Sequence, residues 1–226
     1  MTATKVLAVI PARGGSKGIP RKNLAEFRGK PLLEHTLEAI KPFCPGIDVV
    51  VATDDHEIKR LAAAHGLTSD YVRPDDLSKD TTSMFETVNH VVQWAQRQSD
   101  EHLDYVLVLQ PTSPLRSSHD IKEFVECAER NDWQPMMTAS RVQEHPMEVV
   151  EVFPDGVWKY LREPPSRLRG RQDYEGEFLF INGAIYGASP TFLSEHHSFV
   201  VQGLTQIYVM PQSRSLDIDE PDDLLK

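Results

Sequence analysis

The densest chemical signal in the chain is Arg13-Gly14-Gly15-Ser16-Lys17-Gly18, followed closely by Arg21, Lys22 and Asn23. Three glycines in five positions let a backbone turn sharply and bring its N–H groups close to a ligand. Arg13, Lys17 and Lys22 add positive charge suited to phosphate, and Ser16 adds a hydroxyl. With Arg21, Arg28 and Lys30 they form a cationic cluster opposed only by Glu26. Such a cluster suggests a small polyanionic ligand, the alternative being a solvated charged loop. Near the other end of the chain Asp217 and Asp219 flank Ile218. If extended, that spacing puts both carboxylates on one face and turns Ile218 the other way. Two hard oxygen donors beside phosphate oxygens suit Mg²⁺, which takes few protein ligands. An acidic helix start is the alternative, and Glu220, Asp222 and Asp223 fit it well. Between these ends, Gln110 and Thr112 offer a compact set of neutral donors and acceptors, in a turn that Pro111 and Pro114 would also make by themselves. Arg167, Arg169 and Arg171 precede Gln172-Asp173, and an arginine fork matches a carboxylate bidentately.

The elements that must position these residues follow from periodicity. Residues 5–10, 47–53 and 104–109 are largely apolar runs of strand length, interleaved with segments of helical period at 31–40, 55–65, 83–98 and 118–130. Pro31 sits at a tolerated first-turn position, Pro42 reads as a stop, and Gly66 closes the second helix. Fully apolar strands alternating with helices imply a mostly parallel, Rossmann-like α/β sheet covered on both faces. The glycine-rich loop and the Gln110 turn then fall at the C-terminal ends of parallel strands, where such sheets bind ligands. After about residue 140 the pattern changes: residues 148–153 and 157–161 read as a hairpin around Asp155-Gly156. A lone hairpin is marginal in water, so it must rest on the main sheet or on a second subunit. Residues 162–176 read as a polar loop, 182–188 and 203–210 as late strands, and the chain ends in a short acidic helix after Ile218.

Length and composition bound the rest. A chain of 226 residues with a 40% hydrophobic fraction fits one domain, 1–226, with 140–176 as a hairpin and loop insertion. Lys plus Arg total 24 against 34 Asp plus Glu, a net charge of −10 that argues against a general nucleic-acid or membrane partner. No stretch approaches a membrane span, the start lacks the features of a secretory signal, and Cys44 and Cys127 read as free thiols. Together these point to a cytoplasmic protein. The Walker A spacing is absent because Gly18 follows Lys17, and no G-x-G-x-x-G occurs, which disfavours a dinucleotide dehydrogenase. The histidines show no ligand spacing, His196 and His197 being adjacent, which argues against a zinc enzyme.

The stretch Ile10-Pro11-Ala12-Arg13-Gly14-Gly15-Ser16-Lys17-Gly18-Ile19-Pro20-Arg21-Lys22-Asn23 resembles the opening signature of the N-acylneuraminate cytidylyltransferases, or CMP-sialic acid synthetases, a group that includes CMP-legionaminate and CMP-pseudaminate synthetases. Four further segments resemble the family in the same order: Arg73-Pro74 with residues 81–83; Leu109-Gln110-Pro111-Thr112-Ser113-Pro114-Leu115-Arg116; Arg171-Gln172-Asp173 with Asn182-Gly183-Ala184-Ile185-Tyr186; and Ser215-Leu216-Asp217-Ile218-Asp219. The resemblance implies a nucleotidyltransferase fold of GT-A type that transfers CMP from CTP to the anomeric hydroxyl of a nine-carbon 2-keto acidic sugar, with Mg²⁺. By the same resemblance Arg13, Ser16, Lys17 and Lys22 hold the triphosphate, while Asn23, Arg73 and Ser83 contact the cytidine side. Gln110, Thr112 and Arg171 bind the sugar, Asp217 and Asp219 hold the metal, and Lys22 and Asp217 are the catalytic pair. Arg73 also reads as half of a surface ion pair with the neighbouring aspartates. The family further implies a homodimer in which a protruding segment, here the hairpin, reaches the partner. Two rivals remain: CMP transfer to the eight-carbon sugar 3-deoxy-manno-octulosonate, whose enzymes depart from Gly-Gly-Ser-Lys-Gly after the opening residues, and a non-catalytic nucleotide binder of the same fold.

Overall fold

The computed structural model describes residues 4–99, 102–163 and 176–226. In chain order the elements are β1 (Val6–Pro11), β2 (Glu26–Phe27), β3 (Lys30–Pro31), α1 (Leu32–Ile40), β4 (Asp48–Ala52), α2 (His56–Ala64), α3 (Met84–Gln98), β5 (Tyr105–Leu109), α4 (Ser118–Arg130), β6 (Met136–Arg141), β7 (Val150–Val152), β8 (Trp158–Tyr160), β9 (Leu179–Ala188), α5 (Pro190–His196) and β10 (Gln206–Val209). The main sheet has the order β10-β6-β9-β5-β1-β4. β1 runs parallel to β4 and β5, and β10 parallel to β6, whereas β9 is antiparallel to both of its neighbours. The expected parallel α/β sheet is therefore present with one reversed strand.

β1 shows why its sequence is continuously apolar. Val6, Ala8 and Ile10 pack with α1, α2 and α4 on one face of the sheet, while Leu7 and Val9 pack with α3 and α5 on the other. Both side-chain sets are removed from water, so neither has reason to be polar. The helices begin where side chains satisfy their free N–H groups. Asp55 caps α2, Ser83 with Glu86 forms a capping box on α3, and Ser117 with Asp120 does the same on α4. Pro31 is the residue before α1 rather than its first turn, and the chain runs on past Ile40 into a 3-10 turn through Pro42.

Two elements are not evident from periodicity. β6 carries Thr138 and Ser140 at 0% and 1% exposure, so buried polar residues interrupt its apolar pattern. α5 is a single short segment capped by Ser189. The register of β9 against β6 shifts between Met137 and Ala139, which places a bulge at residues 182–185. Thr138 Oγ1 accepts from Ile185 N (2.9 Å) and donates to Ile185 O (3.2 Å), and Asn182 Oδ1 accepts from Ala184 N (3.2 Å), so side chains satisfy backbone groups that the bulge takes out of the ladder.

β7 and β8 form their own two-stranded sheet, turning at Gly156 with φ 82° as the Asp-Gly signal predicts. Val152, Val157, Trp158 and Leu161 are each more than half exposed. Near the tail, the expected helix is a 3-10 turn over Pro221–Leu225. Among the described residues no helix is long and apolar enough to cross a membrane.

Candidate active site

The two ends of the chain meet. Lys22, in the 3-10 turn Lys22–Leu24 after the glycine loop, donates from Nζ to Ile218 O at 2.9 Å and to Asp219 Oδ1 at 3.0 Å. Ile218 is fully buried with Ile19, Phe27 and Leu32, an apolar plug that fastens the tail under the loop. Gly18 lies so close that a Cβ there would sit 3.0 Å from Asp219 O, within a distance that real side chains seldom tolerate. Asp217 and Asp219 differ in environment: Asp217 is partly buried, whereas the Asp219 side chain is 70% exposed.

Arg13, Ser16, Lys22, Asn23, Arg73, Ser83, Gln110 and Thr112 line one cleft of about 210 Å³ at the C-terminal ends of β1 and β5, so eight of the sequence-derived residues converge. Lys17 is not among the residues that line it, and its side chain is 77% exposed. Arg13 NH2 lies 2.8 Å and Lys17 Nζ 3.6 Å from Asp80, a carboxylate that no sequence pattern had marked. The Gly14 N–H is taken by Asp54 Oδ1 at 2.9 Å, so this glycine amide braces the loop. Asn23 donates from Nδ2 to Arg13 O at 2.8 Å and holds the loop from behind. Arg73 is not half of a surface ion pair. It is 5% exposed, with Nε 3.0 Å from the carbonyl oxygen of Leu77 that NH2 shares; burial lowers its pKa and the charge of Asp54 opposes that. The Ser83 hydroxyl is engaged as the cap of α3, donating to Glu86 Oε2 at 2.8 Å.

The cationic cluster read from the sequence divides in three dimensions. Arg21 bonds Asp55 and Glu57 at the start of α2, Lys30 bonds Glu38, and Arg28 reaches Lys226 O. Arg13 and Lys22 line the cleft, and Lys17 is joined to Arg13 through Asp80.

Gln110 donates to Met84 Sδ at 2.9 Å, and Thr112 Oγ1 lies 3.4 Å from Gln110 Oε1. Ile218 N donates to Thr112 O at 2.8 Å, which joins this turn to the tail. Gly183, with φ 70° in the β9 bulge, comes up against both: a Cβ there would lie 3.3 Å from Gln110 Oε1 and 3.9 Å from Asp217 Oδ2. Asp217 and Asp219 are not among the residues that line the first cleft; they line a second one of about 600 Å³, together with Ser140, Arg141, Gln143 and Phe180. Burial raises the Asp217 pKa; a hydrogen bond from Thr112 works against this and the Asp219 charge adds to it.

Buried side-chain polar atoms without a partner are confined, among the described residues, to Ser113 Oγ, Arg116 Nε and Asp217 Oδ1, all in or against the Gln110–Thr112 turn. Buried atoms left unsatisfied call for a partner that the protein itself does not supply, such as water, an ion or a ligand. Asp217 Oδ1, oriented without a donor beside a second carboxylate, fits a hard divalent cation. No group of three or more His, Cys, Asp or Glu that could hold a metal occurs among the described residues. A two-carboxylate set suits Mg²⁺ completed by phosphate oxygens and water better than a closed protein cage. Arg171, with Arg167 and Arg169, lies outside the described residues.

Solved structures that share this fold include two cytidylyl-group synthetases. One, a CMP:2-keto-3-deoxy-manno-octonic acid synthetase complexed with CTP, matches with a TM-score of 0.70 at 20% identity, over 98% of this chain and 96% of its own. The other, a 4-diphosphocytidyl-2C-methyl-D-erythritol synthase, matches with a TM-score of 0.63 at 16% identity, over 99% and 100%. The chain therefore has the α/β fold of the class to which these two synthetases belong. Within that class the chain belongs to the cytidylyltransferase family, whose model matches residues 7–155. Curated relatives include the CMP-N,N'-diacetyllegionaminic acid synthase of Legionella pneumophila, 32% identical over 97% of this chain and 93% of that protein. A pseudaminic acid cytidylyltransferase of Campylobacter jejuni is 30% identical over 97% and 93%. An N-acylneuraminate cytidylyltransferase of Streptococcus agalactiae is 31% identical over 98% of this chain but only 52% of its own length.

Proposed function

We propose that the chain transfers CMP from CTP to the anomeric hydroxyl of a nine-carbon 2-keto acidic sugar and releases pyrophosphate. The observation that carries this reading is the meeting of the glycine loop and the acidic tail at Lys22, 2.9 Å from Ile218 O and 3.0 Å from Asp219, at the mouth of a cleft lined by the residues expected to hold CTP. The names of the full-length relatives, each acting on a nonulosonic acid, support the acceptor class.

Arg13, Ser16, Lys17 and Lys22 surround the triphosphate, while Asn23, Arg73 and the start of α3 at Ser83 shape the cytidine end. Gln110 and Thr112 on one side, with Asp217 beneath, orient the sugar so that its anomeric oxygen faces the α-phosphorus. In-line attack forms the new phosphorus–oxygen bond as the bond to the β-phosphate breaks. The transition state spreads negative charge over phosphoryl oxygens, so positioning and fixed positive charge carry most of the rate. Asp217 and Asp219 would hold Mg²⁺, which neutralises phosphate charge and eases deprotonation of a hydroxyl. Arg171 is assigned to the acceptor carboxylate on chemical grounds.

The exposed apolar hairpin supports a homodimer. An isolated pair of strands is marginal in water, and Val152, Trp158 and Leu161 gain a cover when a second copy packs on them. Solution mass at micromolar concentration tests this, and a strict monomer refutes it. A CTP-consuming enzyme with free Cys44 and Cys127 belongs in the cytoplasm, and its recovery outside that fraction would count against the assignment. Pyrophosphate release measured with CTP, Mg²⁺ and a panel of nine-carbon acids beside 3-deoxy-manno-octulosonate tests the reaction itself. Release with a nine-carbon acid is expected, release with the eight-carbon acid alone would move the assignment, and no release with any acceptor would leave a nucleotide binder.

A further inference from the structure

Arg116 is 2% exposed, and among the described residues its hydrogen bonds all go to neutral oxygens, the Asp120 charge acting on it only through space. Its NH1 donates to Gln110 O at 2.9 Å and to Ala184 O at 2.8 Å, and its NH2 donates to Thr36 Oγ1 at 2.6 Å. Burying a guanidinium with no carboxylate bonded to it is costly, and leaving Nε without an acceptor adds to the cost. A buried methionine or leucine would fill the space more cheaply, so stability alone does not account for an arginine here. What it does hold is specific. Ala184 belongs to the bulge in β9, and its neighbour Gly183 forms the wall between Gln110 Oε1 and Asp217 Oδ2. Gln110 ends β5 and begins the turn that reaches Asp217 through Thr112. One nitrogen therefore clamps the carbonyls of the Gln110 turn and of the β9 bulge, which meet beside Asp217 at Gly183. Thr36, on α1, anchors the guanidinium from the side of the helix layer.

We infer that Arg116 is a positioning residue for the acceptor half of the reaction: it fixes the β9 bulge against the Gln110 turn and so sets the width of the sugar site, without touching either substrate. The inference rests on the cytidylyl-transfer reading for its kinetic consequence but not for the clamp itself. Both can be tested on the full chain with Arg116→Lys, which keeps the charge and loses the planar fork, and Arg116→Met, which keeps the volume. The CTP dissociation constant, measured calorimetrically with Mg²⁺, should stay within about twofold of wild type, because the clamp touches neither the glycine loop nor Arg73. For the acceptor, kcat/KM should fall on the order of ten- to a hundredfold, as expected when a reacting group is misplaced by about an ångström. Hydrogen exchange at residues 112–113 and 183–185 should accelerate together in Arg116→Lys. Thr36→Val, which removes only the third hydrogen bond, should shift the same two readouts less and in the same direction. If Arg116→Met does not fold, these two variants carry the test. Unchanged acceptor kinetics in a folded variant, equal losses for CTP and acceptor, or unchanged protection in both segments would overturn the inference. A wild-type protein that releases no pyrophosphate with any acceptor refutes the enzymatic reading, and the exchange measurement then decides the clamp on its own.

Discussion

Replacing Lys22 with methionine separates fold from chemistry more cleanly than any other change in the cleft. The Lys22 side chain is 14% exposed, and its ammonium lies 3.0 Å from the carboxylate of Asp219, a side chain 70% exposed. At that spacing and an effective dielectric of about 20, the gross attraction is about 5.5 kcal/mol. Because one partner stays in water, the net contribution of such a pair is about 1 kcal/mol at most. The hydrogen bond to Ile218 O at 2.9 Å adds about 1 kcal/mol. Loss of both should lower stability by about 2 kcal/mol and Tm by roughly 4–8 °C for a domain of this size. Methionine keeps the apolar stem, so the plug around Ile218 remains packed. Turnover should suffer far more. A fixed donor facing charge that develops on a phosphoryl group is worth about 3–4 kcal/mol, so kcat should fall about 10²- to 10³-fold. Pyrophosphate release and differential scanning calorimetry on one preparation measure both. Activity within about tenfold of wild type in a folded variant would refute the assignment of Lys22 to the triphosphate, and unfolding at the assay temperature would refute the small structural share.

Asp219→Ala removes a largely exposed side chain, so Tm should hardly move while turnover drops by at least about a hundredfold; near-normal activity would remove the metal assignment. Chelation of divalent cations by EDTA should abolish release, and adding Mg²⁺ should restore it; activity surviving exhaustive chelation would show that Asp217 and Asp219 do other work. Asp80 stands against Arg13 and Lys17 as an internal anion, so Asp80→Asn should tighten CTP binding about two- to fivefold in calorimetry, and weaker binding would contradict the competition. The Lys226 ammonium and the N–H groups of Glu220 and Asp219 hold the Asp223 carboxyl down to about 2, below its unfolded value. Its contribution to the tail is therefore complete above about pH 4 and is lost as pH falls towards the folded pKa, which amide protection at Asp219 and Glu220 should report; protection unchanged down to the folded pKa would contradict this. Arg214 forks onto the fully buried Asp120 carboxylate, so Arg214→Met should cost about 3 kcal/mol in urea unfolding by stranding that charge, and a cost below about 1 kcal/mol would show the pair to be dispensable.

The sequence exposed those parts of the molecule whose causes are local. α4 is found at residues 118–130 as read, because Ser117 and Asp120 announce its start and Ile121, Phe124 and Ala128 face one core. The glycine loop follows β1, and the Asp-Gly turn makes its hairpin, because each depends on a few adjacent residues. What stayed hidden depends on distant partners. Thr138 is polar in β6 because it serves the β9 bulge, and that reciprocal pairing spans 47 positions. The cations divided because Asp55, Glu57 and Glu38 claimed Arg21 and Lys30 from elements elsewhere in the chain. Asp80 looks like any loop acid until Arg13 is beside it, and Arg116 looks like the end of a turn until Ala184 arrives from 68 positions away. The convergence of Lys22 with Asp219, 197 positions apart, was required by the chemistry rather than visible in any pattern.

The most direct measurement follows the oxygen. The chain would be incubated with CTP, Mg²⁺ and a nine-carbon 2-keto acid labelled with ¹⁸O at the anomeric hydroxyl, and the products read by mass spectrometry and ³¹P NMR. The account predicts equal amounts of unlabelled pyrophosphate and a CMP-linked sugar that retains the label in its phosphodiester bond. CTP consumed at the same rate without the sugar, or label absent from that bond, would contradict it.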